Sequence, residues 1–277
     1  MSLGGARAQD LIGLTMIVPA VLGFLWGAPL VAQELETGTV NFAWTQSVTR
    51  TRWLTVKAGW LLLAAALWGG AIGALVTWWS GPRNALYQNQ FQPGNFDIQG
   101  IVPIGYAVFA TALGIAAGAL LRRTLVGIAV TIGGFIGVRL LITEVVRAHY
   151  MTAVTAYYKV MAGFSPAGPA WVVSEGVIDK YGHVYAGEGV YAALVNVPVT
   201  AFPASCRSLL YASPDSLTRA HLRQALSCMQ TAGFRGFTTY QPASRFWAFQ
   251  GIETGIFVVL AAALLAIALT VVARRDA

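Results

Sequence analysis

The fold is decided by the stretch FDIQGIVPIGYAVFATALGIAAGALLRRTLVGIAVT, residues 96–131. It holds two long apolar runs, separated by the basic pair Arg122 and Arg123. Each run is long enough to cross about 30 Å of hydrocarbon as an α-helix. Because basic residues are retained in the cytoplasm, the stretch predicts an antiparallel pair of membrane helices joined by a cytoplasmic turn.

The composition of the whole chain indicates the same class of protein. Of its 277 residues, 56% are hydrophobic and 10% are charged, whereas soluble domains carry roughly 25% charged residues. The net charge of +7 is distributed along the flanks of the apolar runs and forms no patch. We therefore expect no binding of nucleic acid.

Five segments have the length and composition of membrane spans. They are Leu11–Ala32, Ala58–Trp79, Ile101–Leu121, Leu125–Val146 and Thr254–Ala273. We predict an all-α polytopic membrane protein of the plasma membrane, with a small α+β extracytoplasmic insert between the last two spans. The predicted domains are 1–150 with a cytoplasmic segment 33–57, the extracytoplasmic domain 151–250, and the last helix with its cytoplasmic tail, 251–277.

Orientation follows from the basic residues in the short flanks of the spans. These are Arg50, Arg52, Lys57, Arg122, Arg123, Arg274 and Arg275. The connection between the second and third spans has only Arg83. The positive-inside rule therefore places the C-terminus in the cytoplasm. Five spans then place Met1 outside, which raises the hypothesis that a first helix is missing upstream.

Two kinds of residue within the spans indicate packing or function. Glycines four apart allow close approach of helix backbones, and they occur as Gly69/Gly73, Gly114/Gly118 and Gly133/Gly137. Ionisable residues in a span are functional candidates. We expect Glu144 and Arg147 to form a local ion pair, since they are three residues apart. Arg139 lies deeper, and we expect it to line a translocation path or contact another subunit.

The segment between the last two spans has the features of a small domain. Residues 170–185, AWVVSEGVIDKYGHVY, predict a β-hairpin turning at Lys180–Gly182, and residues 213–233 predict a helix that ends at Gly233. The two cysteines, Cys206 and Cys228, lie on the oxidising side, which predicts a disulfide; the alternative is two reduced, buried thiols.

Aromatic and basic residues precede the last span. Tyr240, Arg245, Phe246 and Trp247 are typical of the headgroup level of a membrane. We expect them to anchor the chain at the membrane interface.

No catalytic or nucleotide-binding pattern is present in the sequence. It has no GxxxxGK[ST] phosphate loop, no HExxH and no paired Cys/His ligand spacing. We therefore expect no enzymatic activity, no metal site and no cofactor bound by this chain. If nucleotide drives its action, a partner must bind the ATP and Mg²⁺.

Four blocks of the sequence carry a family resemblance: GAPLVAQELETGTVNFAWTQSVTRTRWLTVK (27–57), residues 96–131, VRLLITEVVRAHY (138–150) and YQPASRFWAFQGIETGIF (240–257). They resemble ABC-2-type transporter permeases from actinobacteria, which have six spans, so the chain looks as if it lacks the family's first helix. The resemblance implies the membrane subunit of an ABC exporter, paired with itself or a related permease and driven by a separate ATPase.

The resemblance also implies a role for the polar stretch 33–57. It corresponds to the element that docks on the ATPase, and the residues expected to make that contact are Glu34, Glu36, Phe42, Trp44, Arg50 and Arg52. The alternative for this stretch is an amphipathic loop that lies on lipid. Rival functions for the whole chain are a membrane sensor or immunity protein that captures a ligand through its outer domain, and a membrane enzyme.

Overall fold

The computed structural model describes residues 21, 26–37, 49–87, 90–166, 168–187, 193, 196–210 and 219–274. The chain divides into two compact units. The first comprises residues 1–150 and 244–277, and the second comprises residues 151–243.

The first unit is helical. Its helices are α1 (Ala28–Thr37), α2 (Arg50–Tyr87), the one-turn α3 (Pro93–Phe96), α4 (Val102–Leu121), α5 (Thr124–Leu141) and α8 (Phe246–Arg274). A π-helical turn, Ile142–Val146, and a 3-10 turn, Arg147–His149, continue α5. Another 3-10 turn, Ala243–Arg245, precedes α8.

Among the described residues, four helical segments are long and apolar enough to cross a membrane. They are Arg50–Leu86, Val102–Leu121, Thr124–His149 and Ala243–Arg274, and they correspond to the second to fifth predicted spans. The chain is therefore a multi-pass membrane protein. The first predicted span, Leu11–Ala32, lies mostly outside the described residues, so the count of five and the extracytoplasmic placement of the insert stay predictions.

Helix α4 is the centre of the first unit. Of its apolar window 72% is buried, whereas the corresponding windows of α2, α5 and α8 are 17–22% buried. Its many alanine and glycine residues allow neighbouring helices to approach closely. The other three spans therefore present most of their apolar surface outward, as helices that face lipid do.

One end of the unit is named here the basic end, because it carries the described residues Arg50, Arg52, Arg122, Arg123 and Arg274. The helices meet there in a core that contains Val31 of α1, Leu54 of α2, Ile115 of α4 and Val272 of α8. Helix α4 ends at this point in a left-handed residue, Arg122 (φ 51°), whose N–H donates to the Gly118 carbonyl at 3.1 Å. Helix α5 begins two residues later, so the predicted turn between the third and fourth spans lies at the arginine pair as expected.

Two of the predicted glycine pairs provide close contacts between helices. A Cβ atom at Gly69 would lie 2.6 Å from the Pro103 carbonyl oxygen, and one at Gly73 would lie 2.5 Å from that of Gly100. In the second pair, Gly118 approaches the carbonyl of Ala28 on α1. At Gly133 and Gly137 a Cβ atom would meet no described residue within 4 Å, so the expected close contact is not found among the described helices. Their face of α5 is turned away from those helices.

The second unit contains a sheet of the strands β1 (Val154–Lys159), β2 (Trp171–Ile178), β3 (Val184–Ala186) and β4 (Arg235–Gln241). The sheet is antiparallel, with strand order β1-β4-β2-β3. The predicted hairpin is confirmed as β2–β3, with Gly182 in the left-handed region at φ 92°. The Asp179 carboxylate fixes the turn, since it accepts hydrogen bonds from the N–H groups of Tyr181 (2.8 Å) and His183 (2.9 Å).

Two helices, α6 (Ala204–Leu210) and α7 (Arg219–Thr231), complete the second unit. The predicted disulfide is confirmed: Cys206 of α6 is bonded to Cys228 of α7, with the two Cα atoms 5.7 Å apart. The buried core of this unit includes Val177 of β2, Phe202, which precedes α6, and Met229 of α7. Helix α7 ends at Thr231, two residues before the predicted end at Gly233, which has φ 92°. Residues 213–218, the predicted start of this helix, lie outside the described residues.

The glycine contacts can be tested with two matched substitutions. Gly73→Ala places a methyl group against a backbone carbonyl that cannot move independently, so we expect a loss of about 2 kcal/mol of stability. Gly137→Ala places it where no described residue lies within 4 Å and gains helix propensity worth up to about 1 kcal/mol. Thermal unfolding in detergent measures both. Equal effects of the two substitutions would contradict the packing described here.

Candidate functional site

Four charged side chains meet at the end of the first unit opposite the basic end. Asp97 follows α3, Arg139 lies near the end of α5, Arg147 lies in the 3-10 turn that continues α5, and Glu253 lies in the third turn of α8. We call these four residues the charge cluster. Their side chains are 4%, 14%, 1% and 0% exposed, respectively.

Arg147 is the centre of the charge cluster. Its Nε donates to Oε2 of Glu253 at 2.8 Å, and its Nη2 donates to Oε1 of the same carboxylate at 2.6 Å. Nη2 also lies 2.5 Å from Oδ1 of Asp97. Arg139 donates to the other oxygen of Asp97, Oδ2, at 2.9 Å. Two guanidinium groups therefore share two carboxylates, and the net formal charge of the cluster is zero.

Aromatic side chains complete the surroundings of the charges. The Tyr106 hydroxyl donates to Glu253 at 2.6 Å and lies 3.2 Å from Asp97. The Arg139 guanidinium lies 4.9 Å from the Tyr106 ring centroid, and that of Arg147 lies 4.7 Å from the Phe96 centroid. Cation–π attraction thus adds to the ion pairs where water is excluded.

Tyr150 also contacts the cluster, from just beyond the helical segment. Its hydroxyl lies 3.2 Å from Oε2 of Glu253. Burial raises the pKa of Tyr150, and the neighbouring Glu253 carboxylate raises it further. Tyr150 therefore stays protonated at physiological pH and can serve as a hydrogen-bond donor to Glu253.

The neutrality of the charge cluster is required by its burial. Removing a charge from water costs several kcal/mol, and ion pairing offsets that cost only when geometry and hydrogen bonds are good. Three helical elements and the α3 segment contribute to the cluster. Removal of any one of the four charges leaves an unmatched buried charge, so the cluster specifies how these elements assemble.

Gln250, one turn before Glu253 on α8, links the same elements through their backbones. Its Oε1 accepts hydrogen bonds from the N–H groups of Ile101 and Val102, both at 2.9 Å, and its Nε2 donates to the Phe96 carbonyl at 3.0 Å. The first N–H groups of a helix have no partner within it. Gln250 therefore caps α4 from another helix.

At the basic end, two carboxylates that were predicted to contact an ATPase are used within the chain. Glu34 of α1 forms an ion pair with Lys57 of α2. Glu36 accepts hydrogen bonds from the hydroxyl (2.7 Å) and N–H (3.0 Å) of Thr124, where α5 begins. The Thr124 hydroxyl and N–H hold the pKa of Glu36 below its ordinary value, so this carboxylate is ionised at neutral pH. The end of α1 is thus tied to both α2 and α5.

The remaining predicted contact residues are only partly described. Phe42 and Trp44 lie outside the described residues. Arg50 and Arg52 lie in the first turn of α2, and Arg52 is exposed. Arg52, Trp53, Val56 and Lys57 line a cleft of about 580 Å³.

Two other residues considered from the sequence, Arg139 and Arg147, have acidic partners within the chain. Arg139 is paired with Asp97 inside the chain, and the local pair of Glu144 with Arg147 is wrong, because Arg147 binds Asp97 and Glu253. The π-helical turn between α5 and Arg147 alters the regular spacing on which that expectation rested.

The residues predicted to lie at the membrane interface differ from one another in their surroundings. Tyr240 is part of β4, Phe246 is buried against Phe91 and Phe96, and Trp247 is exposed. Arg245 lies in the 3-10 turn before α8. Their contact with lipid headgroups stays a prediction.

The sequence reasoning missed both acids of the charge cluster. Asp97 lies in a connection, and Glu253 precedes the predicted span by one residue, so neither was assigned a role. The available signal was chemical: an acid beside an apolar helix requires a cationic partner, and Arg139 and Arg147 require acids for the same reason.

The capping role of Gln250 can be tested against its neighbour Thr254. Gln250→Leu leaves two N–H groups and one carbonyl without their partner, and we expect a loss of about 3 kcal/mol. Thr254→Val is the matched control on the same helix, because the buried Thr254 hydroxyl has no hydrogen-bond partner in the described part of the chain. In thermal unfolding, Thr254→Val should change the stability by no more than about 0.5 kcal/mol. A larger loss from Thr254→Val than from Gln250→Leu would contradict this assignment.

Comparison with known families agrees with this architecture. The profile of the family described as ABC-2 membrane transporter related matches residues 4–147, just over half of the 277 residues. The match includes α1 to α5 and three of the four charge-cluster residues. Neither a curated protein nor a solved structure matches the sequence significantly. The chain belongs to the ABC-2 membrane transporter related family and is an ABC-2-type permease.

Proposed function

We propose that this chain is the permease subunit of an ABC exporter, driven by ATP hydrolysis on a separate ATPase that docks at residues 33–57. The observation that carries the proposal is the family match over residues 4–147. The contacts of α1 at the basic end support the place of docking. ATP and Mg²⁺ bind to the partner ATPase, and this chain performs no chemistry of its own.

The basic end has the charge expected of a cytoplasmic face. Arg50 and Arg52 lie in the first turn of α2, and Arg122 and Arg123 join α4 to α5, whereas α2 carries only Arg83 near its other end. Basic residues in short connections favour the cytoplasmic side. This orientation places the C-terminus of α8 in the cytoplasm and the second unit outside.

The docking segment is mechanically connected to the spans. The ion pair of Glu34 with Lys57 ties α1 to α2, and the hydrogen bonds of Glu36 with Thr124 tie α1 to α5. A displacement of the docking segment is therefore transmitted to α1, α2 and α5 together. Such coupled movement is what a permease needs to convert the closure of an ATPase dimer into alternating access.

The start of α2 offers a surface for the ATPase. The cleft lined by Arg52, Trp53, Val56 and Lys57 is about 580 Å³ in volume. The Lys57 ammonium lies 5.0 Å from the Trp53 ring centroid. An apolar side chain of the ATPase can enter the cleft while an acidic one pairs with Arg52, which is exposed. Aromatic and arginine residues of this kind dominate the energetics of many protein interfaces.

The two ends of the helical unit have different roles in this proposal. The charge cluster holds α3, α4, α5 and α8 together at one end, and the exposed groups at the basic end receive the ATPase. The transported molecule passes along the interface between two permease subunits, either two copies of this chain or one copy and a related permease. Export is the proposed direction.

Co-purification with a co-expressed ABC ATPase tests the proposal. Arg52→Glu reverses the charge at the docking surface, and we expect at least about a tenfold loss of complex. Trp44→Ala, which removes an anchor predicted from the sequence, should act in the same direction. Arg83→Glu is the matched control, because it makes the same charge change at the other end of the same helix.

The ATPase rate of the purified complex in lipid nanodiscs provides the second readout. Arg52→Glu should reduce the rate to that of the isolated ATPase, and Arg83→Glu should leave it unchanged. Unaltered complex formation and turnover in both Arg52→Glu and Trp44→Ala would refute docking at this segment.

A further inference from the structure

A cleft of about 910 Å³ lies at one end of the sheet in the second unit. It is located where β1 ends, where β4 begins and where β2 turns toward β3. Its lining includes three cationic side chains, Lys159, Lys180 and Arg235. All three are exposed.

Two of these cations lie directly opposite each other. Lys159 of β1 and Arg235 of β4 are register partners in the antiparallel pair, so their side chains leave the same face of the sheet. Like charges in this arrangement repel each other and destabilise the sheet. The partner of Arg235 on its other side is Ile178, which supplies no compensating charge. Neither cation forms an ion pair with any described carboxylate.

The third cation is held at the cleft by the backbone of the turn that precedes β4. Gly233 has φ 92°, and a Cβ atom there would lie 3.1 Å from Cβ of Lys180. The side chain of Lys180 therefore begins directly over Gly233, with its ammonium 4.9 Å from the Tyr181 ring centroid. This packing fixes the start of the Lys180 side chain beside the pair of cations formed by Lys159 and Arg235.

The carboxylate in the lining does not neutralise these cations. Asp179 accepts hydrogen bonds from two backbone N–H groups of the hairpin turn, and its Oδ2 lies 2.9 Å from Nδ1 of His183. Its oxygens are therefore directed into the turn. Among the described residues that line the cleft, three lysine and arginine cations face this one acid, so the cleft is positively charged.

A further polar group in the lining lacks a partner. Oε1 of Gln230, on α7, is buried without a hydrogen bond to any of the described residues. An unsatisfied buried acceptor costs about 1–3 kcal/mol. A ligand that carries a hydroxyl group would supply the missing donor. The same amide could also rotate and donate through Nε2 to a ligand oxygen.

We propose that this cleft binds a phosphate ester that carries a hydroxyl group. The phosphate lies between Lys159, Arg235 and Lys180, because a negatively charged phosphate group relieves the repulsion between Lys159 and Arg235 and accepts several hydrogen bonds. The hydroxyl group donates to Gln230. The site is independent of the docking proposal, since it depends only on residues of the second unit.

Thermal unfolding of the full-length protein in detergent tests this site, with glycerol phosphate, inorganic phosphate and glycerol as probes. Glycerol phosphate should raise the unfolding temperature most, inorganic phosphate less, and glycerol not at all. High salt should weaken both effects, because charge dominates the interaction. Calorimetric titration then gives the Kd.

Substitutions distinguish a ligand site from a structural role. Lys159→Gln and Arg235→Gln should each weaken the binding of glycerol phosphate at least about tenfold and also raise the unfolding temperature of the ligand-free protein, because the repulsion is removed. Arg223→Gln is the matched control, since Arg223 is an exposed cation on α7 outside this cleft. It should change neither quantity.

Unfolding measurements in nanodiscs of defined lipid composition distinguish a lipid headgroup from a soluble ester as the source of the phosphate. Stabilisation by phosphatidylglycerol over phosphatidylcholine, lost in Arg235→Gln, would assign the ligand as a lipid headgroup. Stabilisation by soluble glycerol phosphate in either lipid would assign a soluble ester. The proposal is overturned if no phosphate probe stabilises the wild-type protein, or if the Lys159→Gln/Arg235→Gln double variant is stabilised as much as wild type.

Discussion

The helical unit depends on a balance of buried positive and negative charges, which water does not screen. Arg147 is almost fully buried and has Glu253 and Asp97 as its acidic partners, while Arg139 provides the second positive charge. Each ion alone would be costly in this environment, and the cost is offset only when all four are in place. The cluster therefore selects one arrangement of α5, α8 and the α3 segment over others that bury as much apolar surface.

This constraint gives the two ends of the unit different properties. At the cluster end, buried charges, the Gln250 cap and the packing of Phe91 on Phe246 and Phe249 fix the helices. At the basic end, the Glu34 and Glu36 contacts are partly or fully exposed, and exposed ion pairs contribute little, roughly 0–1 kcal/mol. The fixed end can thus serve as a pivot, and the basic end can move when a partner docks.

Sequence reasoning predicted those features that depend on local composition. Four spans, the β2–β3 hairpin and the disulfide follow from apolar length, from turn residues and from two cysteines on one predicted side of the membrane. The partners of Arg139 and Arg147 could not be predicted in the same way, because Asp97 and Glu253 are distant in the chain and their pairing depends on tertiary packing. The preferred local pair, Glu144 with Arg147, failed because a π-helical turn changes which residues share a face. The glycine spacing likewise could not show which pairs face a neighbour.

A double-mutant cycle on Arg147 and Glu253 tests the central claim most directly. The single variants Arg147→Met and Glu253→Gln each leave a buried charge without its principal partner, and each should lose about 3–5 kcal/mol of unfolding free energy. The double variant should lose clearly less than the sum, with a coupling energy of at least about 2 kcal/mol measured by unfolding in detergent. Losses that add within about 0.5 kcal/mol would show that the two residues do not stabilise the fold through each other.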